Sequence, residues 1–407
     1  MSSRPRLLQI AGASKFGGDS VLILEISRAA QQAGFDVEIL ATHSVFQDFI
    51  RAEGVGLVDL DVIRREIRPI WDARGLARLT AYLRESSYSI VHTHTSKPGV
   101  VGRLAATRAG VPVIMHTVHG FGFHEESGAM ARRVYTNVER AAAKWCDRIV
   151  TVSHFHRQVA LNLGIAPADK IMAIPNGVVT RRAQAQLPRA EIRARLGVQD
   201  EFVILSTGRL AEQKGLEYLL KAIPLVSSPG TPFKVLLAGD GPLSDQLRAL
   251  AARLRVGARV EFLGFRNDIG DLLTAADLVV LPSLWEGLSI SLLEAMAAGK
   301  PVITTAIGSN CEVTSDGRAA VLVPPKDPVS LSRAIESLIA DDVRRHELGR
   351  RAQQEQARRY GMDRMLNSYL AEYESLLTRK TGSTAPRPER QESTTDGSDQ
   401  VSGGRQL

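Results

Sequence analysis

Short runs of β-branched and apolar residues alternate with longer segments of helical periodicity along most of the chain. Near the start, the runs RLLQI and DVEILAT flank the helical segment VLILEISRAAQQ, and SIVHTH, VPVIMHT and DRIVTVS follow. This alternation is typical of βαβ units, in which the strands of one sheet run parallel. The first part of the chain is therefore predicted to form a doubly wound α/β domain.

The same pattern restarts after a polar bridge at residues 180–186, with the strand runs EFVILSTG, FKVLLAGDG, RVEFLGF, DLVVLPS, PVITTA and AAVLVPP. We predict an N-terminal Rossmann-like domain over residues 1–180 and a C-terminal one over residues 181–360. A last helix, at about residues 361–379, is expected to cross back and complete the first domain. Residues 380–407 are polar and are predicted to be a disordered tail.

The composition fits two domains, because 407 residues with 44% apolar and 23% charged side chains can bury two cores. Cys146 and Cys311 form no CxxC or Cys/His cluster, which predicts neither a disulfide framework nor a structural zinc. The apolar run at residues 7–13 is too short for a secretory signal, and no stretch reaches the roughly 20 apolar residues of a transmembrane helix. These features predict a cytoplasmic protein.

The net charge of +7 is concentrated in the first 180 residues, which suits phosphate-bearing partners. Nucleic acid is disfavoured, because the basic residues are not interleaved with aromatic residues and no helix-turn-helix or RNA-binding signature occurs. The arginine-rich stretch VIRREIRPIWDARGLARL, which contains Ile70 and Trp71, suggests peripheral contact with an anionic membrane at its inner face. A solvated helix with a buried leucine face explains the same stretch.

The first candidate site follows the predicted strand DLVVLPS, where the loop LWEGL leads into a helix. Glu286 in the loop and Glu294 two turns inside the helix can face one ligand, with Glu294 reaching ribose hydroxyls. Gly287 allows close approach of the backbone to a diphosphate at the positive end of the helix dipole. The backbone amides predicted to meet phosphate oxygens are those of Leu288, Ser289 and Ile290. Taken alone, Glu286 is also explained as an ordinary loop acid and Glu294 as a solvated helix residue.

A second candidate site follows the strand EFVILSTG, which ends at Gly208. Arg209 and Lys214 then present two cations at the carboxyl edge of the predicted sheet. A guanidinium binds phosphate oxygens in a bidentate manner, and an ammonium adds a point charge that stabilises a leaving diphosphate. Surface solvation is the alternative for either side chain considered alone.

A glycine-rich loop, KFGGDS at residues 15–20, separates the first predicted strand from the first helix. Gly17 and Gly18 allow the backbone to touch a phosphate or a sugar. The loop is not GxGxxG, and no acid follows the second strand at the place that a dinucleotide ribose requires. A nicotinamide enzyme is therefore disfavoured.

Five of the nine histidines lie near the ends of two neighbouring predicted strands: His92, His94, His116, His119 and His124. No HxxxH pattern or fixed carboxylate accompanies them, so no metal site is predicted, and hydrogen-bonded packing explains most of them. His119 differs from the others because it precedes a glycine at the start of a loop.

The motifs together resemble those of the family 4 retaining glycosyltransferases. Residues 281–305 resemble the signature EPSxxEGxxxxxxEAMAxGxPVI, with Leu281 in place of its first glutamate and both spaced glutamates intact. GRLAEQKG resembles the family stretch GRLxxxKG, and IPNGV, AGDGP and Glu312 ahead of SDG follow in family order. The resemblance covers about residues 6–377 and implies the GT-B fold, with two Rossmann-like domains facing each other across a cleft.

The resemblance also implies roles for individual residues. Arg209 and Lys214 would clamp the diphosphate, beside Gly208, and the loop with Gly17 and Gly18 would close over the donor. His119 would hydrogen-bond the donor sugar, and Glu286 would position it. No metal and no cofactor are implied, and retention of the anomeric configuration is implied in the same way.

We therefore expect a metal-independent hexosyltransferase that uses a nucleotide diphosphate sugar, with UDP favoured over GDP. The expected acceptor is a saccharide or a polyprenyl-diphosphate-linked saccharide, because residues 92–124 look like those of bacterial enzymes that extend lipid-linked saccharides for cell-surface polysaccharides or glycans. Three alternatives remain: a catalytically silent nucleotide-sugar-binding protein, an epimerase of the same fold, and a soluble small-sugar transferase.

Overall fold

Two parallel β-sheets, each covered by helices on both faces, make up the molecule in a computed structural model that describes residues 4–11, 17–64, 66, 68–123, 127–179, 183–228 and 230–382. The strands of the first sheet are β1 (Arg6–Ile10), β2 (Asp36–Leu40), β3 (Gly56–Val58), β4 (Ile90–His94), β5 (Val113–Val118), β6 (Arg148–Thr151) and β7 (Ile171–Ala173). The strands of the second sheet are β8 (Phe202–Thr207), β9 (Phe233–Ala238), β10 (Val260–Gly264), β11 (Leu278–Leu281), β12 (Val302–Thr305) and β13 (Val321–Val323).

Helices connect the parallel strands. The first seven are α1 (Gly18–Gln32), α2 (Ser44–Ala52), α3 (Pro69–Ser86), α4 (Ser96–Ala109), α5 (Ala129–Ala143), α6 (His154–Asn162) and α7 (Arg189–Arg195). The other eight are α8 (Leu216–Ala222), α9 (Ser244–Arg253), α10 (Ile269–Ala275), α11 (Ile290–Ala297), α12 (Gly308–Val313), α13 (Pro328–Ala340), α14 (Asp342–Arg359) and α15 (Met362–Thr381). Side chains set some of these boundaries: Asp327 accepts hydrogen bonds from the amides of Val329 and Ser330, and Pro328 opens α13.

The order of the strands places one switch point in each sheet. The first sheet runs β3-β2-β1-β4-β5-β6-β7 and the second β10-β9-β8-β11-β12-β13. From β1 the chain adds β2 and β3 on one side and then continues with β4 on the other side. In the second sheet the same reversal occurs between β8 and β11. Ligands of doubly wound sheets bind beyond the carboxyl ends of the strands at such points. The predicted doubly wound α/β architecture is confirmed.

The six strands predicted for the second sheet are all present, whereas the first sheet contains two strands that the sequence pattern missed. These are β3 and β7, the two edge strands, and each has only three residues. The sequences GLV and IMA are too short to show a periodicity that could be distinguished from a loop. The short additions widen the sheet without changing its topology.

The last helix, α15, covers the first sheet although it follows the second sheet in sequence. Met365, Tyr369 and Tyr373 are buried among residues of α1, β1, β2 and β5. The segment that returns to the first domain lies beside the segment that leaves it, and Val178 forms a β-bridge with Gly361 there. The helix ends at Thr381, later than the expected end at residue 379. The predicted tail lies outside the described residues from residue 383 onward.

Candidate active site

The predicted site residues cluster at the two switch points. In the second sheet, Gly208 and Arg209 follow β8, and the loop with Glu286 follows β11. In the first sheet, Gly18 opens α1 after β1, and His119 follows β5. Gly17 precedes α1 as its N-cap residue, and residues 12–16, which include the first part of the glycine-rich loop, lie outside the described residues.

The carboxylate of Glu286 is held by three side chains. Lys214 Nζ lies 2.5 Å from Glu286 Oε1, and Ser283 Oγ donates to the same oxygen at 2.8 Å. Gln213 Nε2 donates to Oε2 at 3.0 Å. The structure thus joins two residues that the sequence placed in separate motifs, and it adds Gln213 and Ser283, which the sequence analysis missed. The only sequence signals for them were the position of Gln213 next to Lys214 and the position of Ser283 in the Pro-Ser pair that follows β11.

Lys214 reaches Glu286 because of the turn that follows β8. Gly208 has a φ of 138°, a region that glycine tolerates, and a short 3₁₀ turn, Glu212–Lys214, brings the lysine back over it. Arg209 is exposed, and its guanidinium forms no hydrogen bond or ion pair with a described residue. The predicted pair of cations therefore consists of one anchored ammonium and one guanidinium held by no described partner.

Helix α11 begins as predicted, with Ser289 as its N-cap. The Ser289 hydroxyl accepts from the amide of Leu292 at 3.4 Å, so the amides nearer the helix start are not used by this cap. Leu288 is buried, and Glu294 is buried within the helix. The start of α11 thus combines the positive end of a helix dipole with two buried carboxylates, those of Glu286 and Glu294.

The two domains touch at the candidate site. A Cβ on Gly287 would lie 1.8 Å from the backbone oxygen of His119, and one on Gly18 would lie 3.0 Å from a side-chain atom of Ile290. Only glycine permits the first contact, because the obstacle is a backbone atom. The domains therefore meet through Gly287 and His119 on one side and through Gly18 and Ile290 on the other.

His156 is a site residue that the sequence analysis missed. It lies in α6, where its Nδ1 is 2.9 Å from Ser153 Oγ, and it forms a hydrogen bond with the backbone of Gly287 in the other domain. Burial lowers the pKa of His156 to about 4, although that hydrogen bond opposes the shift. A neutral histidine therefore holds the loop after β11, and the sequence HFHRQ carried no signal of this role.

A buried network of polar side chains lies behind His119. Its Nε2 is 3.0 Å from His94 Nδ1, and His94 Nε2 is 2.8 Å from Gln9 Oε1. Gln9 Nε2 donates to the hydroxyl of Tyr373 at 3.2 Å, and that hydroxyl is 2.6 Å from His92 Nδ1. The packing interpretation is confirmed for His92 and His94. The same holds for His116, whose Nδ1 is 2.9 Å from Thr93 Oγ1, whereas His124 lies outside the described residues.

The network determines which ring nitrogen of His119 carries the proton. The oxygen of Gln9 only accepts, so His94 Nε2 carries a proton; burial holds the pKa of His94 well below its usual range, and its Nδ1 must accept. His119 therefore donates from Nε2, which leaves Nδ1 as an acceptor in the neutral ring. Burial lowers the pKa of His119, and the nearby Asp19 carboxylate partly opposes that shift. The ring suits a hydroxyl group more than an anion.

Glu312 clasps the two domains together. It lies in α12 of the second domain, and its carboxylate accepts from the amides of His154, at 3.1 Å, and Phe155, at 2.6 Å, which open α6 of the first domain. The ring of Phe155 occupies the space that a side chain at Gly308 would need. Glu312 thus caps the first turn of a helix of the opposite domain, whose own N-cap residue is Ser153.

The arrangement can bind a molecule that carries both phosphates and hydroxyl groups. One wall offers the amides of the α11 start, Lys214 and the exposed Arg209; the other offers a neutral His119 and the start of α1. No group of three His, Cys, Asp or Glu side chains suitable for a metal occurs within the described part of the chain.

Comparison with known proteins assigns the two halves to sequence families. Residues 17–177 match the model described as "Glycosyl transferase 4-like domain", and residues 188–355 match "Glycosyl transferases group 1". The chain is 33% identical over 291 residues to an Escherichia coli UDP-Gal:alpha-D-GlcNAc-diphosphoundecaprenol alpha-1,3-galactosyltransferase, covering 69% of this chain and 74% of the relative. It is 29% identical over 411 residues to a D-inositol 3-phosphate glycosyltransferase of Acidothermus cellulolyticus, covering 93% and 90%.

Solved structures share the fold. Anabaena Alr3699/HepE in complex with UDP and glucose matches with a TM-score of 0.79 and 23% identity, over 91% of this chain and 100% of that one. WaaG, a glycosyltransferase involved in lipopolysaccharide biosynthesis, matches with a TM-score of 0.72 and 19% identity, over 93% and 100%. The predicted GT-B arrangement of two Rossmann-like domains is confirmed.

The buried histidines predict a loss of stability in acid. Burial lowers the pKa of His92 to about 3 and holds the pKa of His94 and His116 well below the usual range. Below about pH 6.5 the unfolded chain binds protons that the folded chain cannot, so the free energy of unfolding should fall by about 1.4 kcal/mol per pH unit for each such histidine. Urea unfolding at a series of pH values measures this slope. His92→Gln should make it shallower and His346→Gln, at an exposed histidine, should not; equal slopes would contradict the assignment.

Because Glu312 caps α6 across the domain boundary, we predict that Glu312→Gln shifts the protein toward a form in which the two domains lie further apart. Loss of the carboxylate should weaken the cap by about 1 kcal/mol, which corresponds to about a fivefold shift toward open molecules. Small-angle scattering should then show a larger radius of gyration. Asp327→Asn is the matched control, because it removes a carboxylate cap within one domain; an equal expansion in that variant would show that the clasp has no special role.

Proposed function

The chain belongs to the family 4, or group 1, glycosyltransferases, and on this premise we propose that it is a retaining, metal-independent hexosyltransferase that uses a UDP-sugar. The observation that carries the proposal is the Lys214–Glu286 pair, which lies at the switch point of the second sheet beside the start of α11. A cation, a helix start and a carboxylate then meet where a nucleotide diphosphate sugar needs them. A GDP-sugar is the less favoured donor.

Departure of the nucleotide diphosphate places negative charge on the phosphates and positive charge on the anomeric carbon. The anomeric carbon–oxygen bond breaks with its electron pair on the diphosphate, a bond to the acceptor oxygen forms, and the acceptor hydroxyl passes its proton to the departing diphosphate oxygen. Lys214, Arg209 and the amides of Leu288, Ser289 and Ile290 stabilise the leaving group, so that a metal ion is not needed. We propose that no cofactor takes part.

The remaining residues position the sugar and the nucleoside. Glu286, fixed by Lys214, Gln213 and Ser283, accepts from sugar hydroxyls, and Glu294 accepts from the ribose. His119 accepts a sugar hydroxyl at Nδ1. Gly17, Gly18, Gly208 and Gly287 keep the backbone close to the donor. Closure of the domains excludes water, which favours transfer over hydrolysis.

The acceptor that we propose is a polyprenyl-diphosphate-linked saccharide used in cell-surface polysaccharide or glycan synthesis. The name of the Escherichia coli relative specifies a sugar linked to diphosphoundecaprenol, and this supports a lipid-linked acceptor here. None of the helices in the described ranges has the length and apolar character needed to cross a bilayer. A lipid-linked acceptor leads us to propose a cytoplasmic location with peripheral contact at the inner face of the cell membrane.

The test is release of nucleotide diphosphate from a panel of UDP- and GDP-sugars in the presence of EDTA, with and without polyprenyl-diphosphate saccharides. We expect release from a UDP-sugar only when the acceptor is present, and no loss of rate in EDTA. Release that requires a divalent metal would refute metal independence. Donor binding without release would favour a silent binding protein, and release without acceptor would favour an epimerase-like or hydrolytic activity.

Substitutions at the site test whether these side chains act on the donor or only support the fold. Lys214→Ala and Glu294→Ala should reduce transfer by at least about a hundredfold with unchanged circular dichroism, because each removes a charge from the donor site. His119→Ala should chiefly lower kcat, since the ring contacts the sugar and not the nucleotide. Lys221→Ala, at a half-buried lysine paired with Glu217, is the control that should keep full activity. Full turnover in both the Lys214 and the Glu294 variants would refute the site.

A further inference from the structure

Helix α5 exposes an unusual amount of apolar surface. Met130, Val134, Tyr135 and Val138 are exposed by 73%, 52%, 42% and 40%, and four of the ten exposed large apolar side chains among the described residues therefore lie on this one helix. Scattered single apolar residues are normal on a surface, whereas a contiguous patch marks an interaction site. The buried side of α5 is narrow and includes Thr136 and Glu139.

The helical positions separate an apolar line from a basic line. At about 100° per residue, Met130, Val134 and Val138 follow one another along the helix. Arg133, Arg140 and Lys144 form a second line beside them, and all three are exposed.

The only acid of this segment faces inward. Glu139 is buried and binds Arg103, with its Oε2 3.0 Å from the guanidinium nitrogen Nη2. Arg132 adds a further exposed cation. The exposed part of α5 is therefore apolar along one side and cationic, without an acid, along the other. Arg140 on that side also donates to Asn137 Oδ1 and to the backbone oxygen of Leu163.

We propose that this face of α5 is the surface by which the protein docks on an anionic lipid bilayer. An amphipathic helix lies in the plane of a membrane interface when its apolar line enters the acyl boundary and its cations meet lipid phosphates. A second copy of the chain fits less well, because a twofold contact would place the same four cations opposite one another.

The position of α5 connects the docking surface to the candidate active site. The helix follows the loop that begins at His119, and in this loop the rings of Phe121 and Phe123 stack with centroids 5.1 Å apart. The ring of Tyr135 packs against Gly122. Docking through α5 would hold the His119 loop near the bilayer surface, where a lipid-linked acceptor presents its saccharide; this step rests on the proposed function.

The arginine-rich stretch that the sequence suggested as a membrane contact is a weaker docking surface than α5. In α3, Ile70 is exposed, but Leu79 and Leu83 are buried. Trp71 is covered by the guanidinium of Arg64, 4.5 Å from the ring centroid. Residues 65 and 67 of this stretch lie outside the described residues. The apolar side of α3 thus faces the protein, whereas that of α5 faces away from it.

The experiment measures sedimentation of the full chain with vesicles of phosphatidylcholine alone or mixed with phosphatidylglycerol. Wild type should bind the mixed vesicles more tightly, with an affinity that falls as salt is raised. Met130→Glu combined with Val134→Glu should weaken binding by about tenfold or more, and Arg133→Gln with Lys144→Gln by about tenfold. Val343→Glu is the matched control on an exposed valine of α14 and should bind as wild type does.

Any of three results with vesicles would overturn the inference: no binding of wild type to the mixed vesicles, equal binding of the α5 variants, or equal weakening by Val343→Glu. If wild type sediments as a dimer that the α5 variants dissociate, the face contacts a second copy and not a bilayer. Turnover of a detergent-solubilised acceptor separates this inference from the proposed function. The α5 variants should retain that turnover, and its absence in wild type would count against the transferase alone.

Discussion

The candidate site depends on the close approach of two backbones, that of Gly287 in the second domain and that of His119 in the first. A Cβ at Gly287 would lie 1.8 Å from the His119 oxygen, a separation that no side chain tolerates. This contact brings the start of α11 and the Glu286 cluster opposite the first domain. It also places the Gly287 backbone within reach of His156. Most of the site geometry described above would therefore change if the residue at 287 had a side chain.

The sequence predicted the parts of the site that depend on local order along the chain. The start of α11 at Ser289, the loop with Glu286 and the turn after β8 all follow from strand runs, glycines and capping residues. The contact of Lys214 with Glu286 needed the sheet topology, because adjacency of β8 and β11 is not visible in either segment. The resemblance to a family supplied only a separate role for each residue, Lys214 at the diphosphate and Glu286 at the sugar.

Other parts were invisible because their partners are distant in sequence. Tyr373 meets Gln9 and His92 only after α15 has returned to the first sheet, and nothing near Tyr373 indicates a polar partner. His156 looks like any residue of a first helical turn until the second domain is placed against it. The three-residue strands β3 and β7 were missed for another reason, since a run of that length has no measurable period.

The buried histidines show how the first sheet combines stability with a site. β4 is buried on both faces, as strands of parallel sheets are, yet its sequence IVHTH places two imidazoles in the interior. Each unpaired imidazole would cost free energy there, so Gln9, Thr117 and Tyr373 supply the partners. Gln9, itself held by Tyr373, orients His94, and His94 in turn orients His119. A polar core is thereby the rigid support of a residue that faces the cleft.

The contact between the domains has to be reversible, because a closed cleft can neither admit a donor nor release a product. Its composition agrees with this need. Glu312 contributes two charge-assisted hydrogen bonds to amides, and Gly18 and Gly287 contribute close backbone packing with little apolar surface. Ile290 and Phe155 add apolar contacts across the gap. A larger hydrophobic interface would hold the domains shut, since such interfaces resemble a domain core cut in half. The clasp instead acts through a cap of about 1 kcal/mol, small enough for thermal opening and large enough to bias closure once a donor adds its own contacts.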